Sequence, residues 1–384
     1  MLGVTMLVVP ARGAEKVTVR QLGNRLAALH RKPDSKAANA IAGLELTERM
    51  TERQRGQLEA SLPGQFSRRA FEAVADAASF LALPPADVPT DAPLEKATQV
   101  RILSLAAGFA KAETRYMPNF LARRTTTRYR DAEYFPFARQ LNMRWLYTPG
   151  DFHLVDRNRV EVRYLNGKGE DEISTGKRGK KTRQVPAGLN TWGEFGPLLT
   201  TVMTDIKGAK VEWGHWERSS AGPVAVLRYA VGEDKSGFRI RFCCFQNANG
   251  ELVNFEAQPG YHGEIAIESA SGKVVRLTVV TDLDPKKKLL RVDQSVEYGP
   301  VEIAGRVYML PRRSVSVCGT REMVVTDVSS NFPQVDGFTM TSINDIVFDE
   351  YHVFRGEIRI LPPAEDVGPA APGAATPEKP LPKQ

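Results

Sequence analysis

Two short segments late in the chain combine histidine with glutamate, the residue types that carry proton transfer or bind metal ions. His262 and Glu264 lie in Tyr-His-Gly-Glu, and Glu350 and His352 lie in Glu-Tyr-His. Each segment opens a predicted strand. If those strands pair, the four side chains converge into a polar pocket suited to proton transfer or metal binding. The alternative is that each imidazole caps a strand or bonds a backbone carbonyl, while His215, between two tryptophans, packs in an aromatic cluster.

Other motifs of enzymes and nucleotide-binding proteins are absent from the sequence. There is no Gly-x-Ser-x-Gly elbow, no Walker A loop, no His-Glu-x-x-His helix and no Gly-x-Gly-x-x-Gly after a strand. We therefore predict no catalytic residue, cofactor or metal, and an enzyme, such as a hydrolase using His262 and His352, is the weakest hypothesis. The basic run 177–183 lacks interleaved aromatic residues, which argues against nucleic acid. It indicates a solvated loop or a contact with anionic lipid headgroups.

The three cysteines do not have the spacing of a zinc site. Strand alternation places Cys243 and Cys318 on polar faces and Cys244 on an apolar face. If their strands are neighbours, Cys243 and Cys318 are candidates for a disulfide in an oxidising compartment.

Composition describes an ordinary globular protein of 384 residues, with 42% hydrophobic residues, 25% charged residues and a net charge of +7. These values exclude a wholly disordered chain, a collagen and a disulfide-dense miniprotein. The length suggests two or three folded units, at roughly 150 residues for each.

The first residues resemble a targeting segment. Residues 2–9 are an apolar run, followed by Pro10 and small residues, so we predict a signal peptide over 1–14. A buried N-terminal strand or a frayed start is the alternative. No later run reaches the roughly 18 apolar residues of a membrane helix, so no transmembrane segment is predicted. The expected location is periplasmic or secreted.

Apolar spacing predicts helices in the first third of the chain. About four short helices are expected over 15–83, one of them starting at a capping box formed by Thr51 and Gln54. A Pro-rich linker follows over 84–93, and then one helix over 94–117 with Val100 on its apolar face.

After Pro118 the apolar period changes to two, which indicates strands. About ten are expected, with a two-residue hairpin turn at Ala304-Gly305 and one interrupting helix over 195–206. Residues 362–384 form a Pro/Ala-rich tail predicted to be disordered. The predicted fold class is α+β, with an N-terminal helical region followed by one domain over 94–361 that holds a helix and a large antiparallel sheet.

One stretch carries a resemblance to a known family. The strand 263–268, the turn Ser271-Gly272-Lys273 and the triplet Val275-Arg276-Leu277 are similar to a repeated phrase of outer-membrane lipoprotein-sorting (LolA-like) proteins, as is the continuation over 296–311. The whole chain also resembles large uncharacterised exported bacterial proteins. The resemblance implies a strongly curved sheet, or half-barrel, that cradles one or two helices and encloses a hydrophobic hollow for an acyl chain.

Three hypotheses for function follow. The first is an exported binding protein for a lipid or acyl chain, which would contact six apolar side chains. These are Trp192, Phe195, Val202, Met203, Trp213 and Phe242. The second is a structural or interaction protein of the envelope, in which residues 15–90 bind a partner protein in a helical groove. The third is the enzyme described above.

Overall fold

The described chain consists of a helical N-terminal part followed by a long series of strands. This computed structural model describes residues 14–131, 151–165, 168–173, 188–189, 194–195, 197–219, 222–246, 251–327 and 334–353. The helices are α1 (Val19–Leu29), α2 (Asp34–Ala42), α3 (Glu52–Ala60), α4 (Gln65–Ala77), α5 (Lys96–Tyr116) and α6 (Pro197–Asp205). No described helix has the length and apolar character that crossing a membrane requires.

The strands are antiparallel with one exception near the N-terminus. They are β1 (Glu15–Val17), β2 (Leu44–Leu46), β3 (Phe120–Arg130), β4 (His153–Leu165), β5 (Lys168–Ile173), β6 (Gly188–Leu189), β7 (Lys210–Ser219), β8 (Gly222–Val231), β9 (Ile240–Gln246), β10 (Leu252–Ala257), β11 (Tyr261–Glu268), β12 (Val274–Thr281), β13 (Leu289–Ile303), β14 (Arg306–Asp327) and β15 (Gln334–Val353). Strands β1 and β2 form a short parallel pair.

Helices α1 to α4 surround a small core of their own. Leu22, Leu26, Ile41 and Phe71 are fully buried there. Helix α3 begins at Thr51, whose hydroxyl accepts a hydrogen bond from the Gln54 amide at 3.2 Å, while the Gln54 side chain accepts one from the Thr51 amide at 2.9 Å. This reciprocal pair satisfies amide donors at the helix start, and the predicted capping box is confirmed.

Ten strands form the main sheet in the order β5-β4-β3-β15-β14-β13-β12-β11-β8-β7. The predicted large antiparallel sheet in a mixed helix and strand fold is thereby confirmed. Strands β13 and β14 are joined by Ala304 and Gly305, which have φ of 54° and 78°. Positive φ at both central residues gives a turn whose twist matches the strands, as expected for a two-residue hairpin.

Helices cover both faces of this sheet. On one face, which we call the α5 face, Ile102 and Ala106 of α5 pack with residues such as Leu227 and Leu277. Val100, expected on the apolar side of α5, is instead 55% exposed. The buried stripe of α5 is centred on positions 102, 106 and 110, so it is rotated slightly around the helix from the predicted apolar face.

The opposite face, which we call the α4 face, is covered by the N-terminal helices. Ala73 of α4 packs against Val315, Val317 and Ile343 of the central strands. The helical part and the main sheet belong to one compact unit that ends at Val353. The predicted linker over 84–93 includes a single 3-10 turn at Pro85–Asp87.

The predicted disulfide between Cys243 and Cys318 is wrong. Cys243 is bonded to its neighbour Cys244, and Cys318 is a buried thiol outside the bridge. Strand β9 lies in a separate three-stranded sheet of order β10-β9-β6, whereas Cys318 lies on β14 of the main sheet. Strand alternation placed Cys318 on a polar face. Because both faces of the main sheet are covered, Cys318 is in fact 1% exposed and packs in the α5-face core.

Residues 1–13 of the predicted signal peptide and the whole predicted tail over 362–384 lie outside the described residues.

Candidate functional site

The apolar side chains expected to line a ligand hollow belong to two separate cores. Phe195 lies in an aromatic cluster, with its ring centroid 5.3 Å from that of Phe120 and 4.8 Å from that of Phe348. Tyr351 belongs to the same cluster, with its ring centroid 6.1 Å from that of Phe195. Trp192 lies outside the described residues. The aromatic contacts of Phe195 are therefore made with the chain's own side chains.

The other expected lining residues pack in the core of the α5 face. Val202, Met203 and Phe242 are buried there. Trp213 is partly buried against the same core and meets Trp216 edge to face at 5.1 Å between centroids. Helix α6 packs against the sheet where the sequence predicts a ligand.

A cavity at the edge of this core is small. Phe109 and Glu113 of α5, Phe195 and Tyr298 are among the residues that line it, and it encloses about 20 Å³. A single water needs about 10–15 Å³, so this space has room for about one water and not for an acyl chain.

The four polar residues predicted to converge do not meet. Strands β11 and β15 are separated in the sheet by β12, β13 and β14. At about 4.8 Å between neighbouring strands, His262 and His352 lie on the order of 19 Å apart across the sheet. His352 instead bonds the backbone carbonyl of Glu350 at 2.9 Å, and the Glu350 carboxylate pairs with Arg123.

His262 and Glu264 do contribute to a groove on the α4 face, which we call the Arg228 groove. It has a volume of about 220 Å³ and lies between the segment after α4 and strands β8, β11 and β12. Its lining comprises Arg49, Ser79, Phe80, Leu81, Arg228, Tyr229, His262, Gly263, Glu264, Arg276, Thr278 and Val280. Its volume exceeds the roughly 20 Å³ of the cavity beside Phe109 and Tyr298.

Strand alternation explains why these polar groups gather on one face. Arg228 of β8 lies directly opposite Glu264 of β11, and both point to the α4 face. Between His262 and Glu264, Gly263 faces the other way. A Cβ at Gly263 would lie 1.9 Å from the Thr278 carbonyl oxygen, so position 263 requires glycine. The Tyr229 hydroxyl donates to the same carbonyl at 2.5 Å.

A network of ion pairs forms the floor of the groove. Arg276 holds Glu217 through two hydrogen bonds of 2.8 and 2.9 Å, and Arg49 reaches Glu217 at 2.6 Å. Arg276 also contacts Glu264 at 3.3 Å. Burial alone would raise the pKa of Glu217, but the charge of Arg276 and the hydrogen bond from His215 outweigh it and hold that pKa well below its usual range.

The same network brings three possible metal ligands together. Ligand atoms of His215, Glu217 and Glu264 lie within 4.8 Å of one another. However, Glu217 already accepts hydrogen bonds from two arginines, and His215 contacts it at 2.9 Å. A divalent cation would have to displace guanidinium groups that neutralise these carboxylates, so the arrangement favours an ion-pair network over a metal centre.

The residues that line the groove carry an excess of positive charge, with three arginines and one carboxylate, Glu264. Arg49, Arg228 and Arg276 face the two carboxylates Glu217 and Glu264. Arg228 is the most accessible of the three, since its side chain is 59% exposed and its contact with Glu264 is 3.4 Å long. A guanidinium with this exposure has donors available for an incoming anion.

A second buried ion cluster fastens α4 to the sheet. Asp76 is fully buried and pairs with Arg55 at 2.8 Å and with Arg313. Arg313 also holds Asp345 at 2.8 Å. Burial and the neighbouring Asp76 charge raise the pKa of Asp345 to about 6. In Asp76 the charges of Arg313 and Arg55 overcome the effect of burial and lower the pKa.

Sequence reasoning found part of the groove and missed the rest. The sequence pattern indicates His262 and Glu264 as polar site residues, but it shows Arg276 only as the centre of an apolar-Arg-apolar triplet. An arginine within a buried strand pattern is a signal for a buried ion pair. Arg49 lies 168 positions from its partner Glu217 and has no local signal of its role.

The comparisons with known proteins add no relative, since no family model, no curated protein and no solved structure matches the chain.

Proposed function

We propose that this protein is an exported binding protein that holds a small amphiphile with one anionic head in the Arg228 groove. The observation that carries the proposal is the composition of the groove. Three arginines lie beside the apolar side chains of Phe80, Leu81 and Val280, in a volume of about 220 Å³. The ligand is of the acyl type expected from the sequence, but its proposed site lies on the α4 face of the sheet and not on the α5 face.

The size of the groove sets a limit on the ligand. Pockets for drug-sized molecules usually measure roughly 300–1,000 Å³. A volume of 220 Å³ is smaller, so the groove suits a medium-length acyl chain or the head and first carbons of a longer one. Each methylene buried against apolar side chains contributes about 0.8 kcal/mol.

Charge selects the head group. Because three arginines and one carboxylate, Glu264, line the groove, a carboxylate gains attraction there and an ammonium group is repelled. An ion pair made by an exposed side chain is worth at most about 1 kcal/mol, which is roughly fivefold in affinity. Arg228 supplies this contact because its guanidinium is exposed at the groove.

Export is part of the same proposal. The apolar run over 2–9 supports it, and so does a disulfide between Cys243 and Cys244, since disulfides persist mainly in oxidising compartments. A LolA-like half-barrel remains the proposed finer description of the sheet. It is supported by the strand-turn-strand phrase over 263–277 and by α5 and α6 packing on one sheet face.

Titration calorimetry with decanoate tests the proposal on the full chain. We expect affinity to rise about fourfold for each methylene from hexanoate upward until the groove is full. Decanol should bind more weakly than decanoate, and decyltrimethylammonium should not bind.

Variants of the groove locate the binding. Arg228→Ala should weaken decanoate binding up to about fivefold. Leu81→Asp should abolish binding, because it puts a negative charge beside the apolar wall. The matched control is Arg241→Ala, whose side chain is 60% exposed and pairs with Glu256 on a different sheet. Equal affinities for Arg228→Ala and the control, or equal affinities for decanoate and decyltrimethylammonium, would contradict the proposal.

A further inference from the structure

The bridge between Cys243 and Cys244 joins residues that are adjacent in sequence. A disulfide stabilises a fold largely by closing a loop and so restricting the unfolded chain, and the effect grows with the number of residues enclosed. Adjacent cysteines enclose no residues. The bridge therefore contributes little to the stability of the whole fold, and another role has to explain two neighbouring cysteines in one strand.

Among the described residues, the bridge is partly exposed and lies at an irregularity in the pairing of β9. Strand β9 pairs with β10 through Val253 and Phe255, with a shift in register between them, so that Cys243 and Cys244 together oppose Asn254. Asn254 is exposed. Two residues opposite one form a β-bulge, which interrupts the ladder locally.

On its other side, β9 pairs with β6, and the residue opposite Cys243 is Gly188. A glycine has no side chain to lay over the bridge. Both bridge cysteines are half-buried. By contrast, Cys318 is 1% exposed and packs in the α5-face core.

We propose that the Cys243–Cys244 bridge is a thiol–disulfide exchange site whose substrate is a dithiol reductant. One thiolate of the dithiol attacks a bridge sulfur, forms a mixed disulfide and releases the other cysteine as a thiolate. The second thiol of the substrate, as its thiolate, then displaces the remaining cysteine. The dithiol is oxidised to a disulfide, the bridge is reduced to two thiols, and the two protons of the dithiol are taken up by the two cysteines.

The structural consequence is local. Reduction removes the covalent constraint on the bulge opposite Asn254, so the pairing of β9 with β10 changes. The ten-stranded sheet, which neither β9 nor β10 joins, keeps its hydrogen bonds.

The experiment uses the folded full-length chain in a series of dithiothreitol redox buffers, with acid quenching and alkylation followed by mass spectrometry. We expect Cys243 and Cys244 to become alkylated together without denaturation, and Cys318 only after denaturation. Thermal unfolding of the reduced protein should shift by less than about 2 °C. Amide hydrogen exchange should increase in β9 and β10 and stay constant in β13 and β14.

A second variant keeps the test decisive. Cys243→Ser/Cys244→Ser should have the melting temperature of the oxidised protein and its exchange in β9 should match the reduced protein. The proposal is overturned if the bridge resists dithiothreitol until the protein unfolds. It is also overturned if reduction lowers the melting temperature by more than about 5 °C, as for a structural staple, or if the denatured, unreduced protein shows three thiols.

Discussion

Replacing Arg313 by methionine removes the cation that holds α4 on the sheet. The Arg313 guanidinium pairs with Asp76, which is fully buried, and with Asp345, whose side chain is 6% exposed. Without it, two carboxylates share a site shielded from water, with only Arg55 left against Asp76. Removing one partner of a buried ion pair costs about 3–5 kcal/mol, and we expect Arg313→Met to lower the free energy of unfolding by that amount at pH 7.5.

The matched control is Arg128→Met on the same sheet. Arg128 pairs with Asp156 at 2.7 Å, but the Asp156 side chain is 48% exposed. A pair in contact with water is worth at most about 1 kcal/mol, so this variant should stay close to the wild type. Equilibrium urea unfolding, followed by tryptophan fluorescence and circular dichroism, measures both free energies.

The pH dependence of the Arg313→Met deficit gives a second readout. Once the guanidinium is gone, burial raises the pKa of both Asp76 and Asp345, so that they take up protons at mildly acidic pH. The deficit should therefore be smaller at pH 5 than at pH 7.5. A deficit no larger than that of Arg128→Met, or one that is the same at both pH values, would refute the reasoning.

Two further predictions concern stability. The folded-state pKa of Asp345 is raised to about 6, so its contribution to stability is complete below about pH 4 and is lost as pH rises through 6. Urea unfolding should therefore show that the wild type is more stable at pH 5 than at pH 7.5. A rise in stability from pH 5 to pH 7.5 would contradict this prediction. Gly263→Ala should lower the free energy of unfolding by more than about 3 kcal/mol, because its Cβ would lie 1.9 Å from the Thr278 carbonyl oxygen. Gly108→Ala, whose Cβ meets nothing within 4 Å in α5, should be neutral or stabilise by up to about 1 kcal/mol, and similar losses in the two variants would be the contrary result.

Local patterns in the sequence predicted local structure well. The Thr51 capping box and the Ala304-Gly305 turn each depend on a few neighbouring residues, and both are present. Alternation also predicted most strands from Val160 onward. Seven of the described strands were missed, namely β1, β2, β3, β5, β6, β7 and β10. Strands β1 and β2 span only three residues each, and the tryptophans of β7 suggested only packing.

What alternation could not show is what covers each face. Serines 314 and 316 suggested a polar face, yet both are buried, because they share the α5 face with Cys318 and that face of the sheet is also covered. The order of strands in the sheet was also beyond the local pattern. That order separates His262 from His352 and determines which polar residues meet.

The candidate site illustrates the same limit. Glu217 is held by Arg49 from the helical part and by Arg276 from β12, which lie 168 and 59 positions away in sequence. Only the packing of the helices on the sheet brings these charges together. The family resemblance implied an acyl-type ligand beside residues that pack on the α5 face, whereas the site that we propose lies on the α4 face.

The location of a bound acyl carboxylate is the most direct test of the proposed function. A crystal structure of the protein with decanoate should show the carboxylate within hydrogen-bonding distance of the Arg228 guanidinium and the chain against Phe80 and Leu81. A chain found on the α5 face, between Met203 and Phe242, or crystals that hold no decanoate at a concentration that saturates binding in solution, would contradict the account.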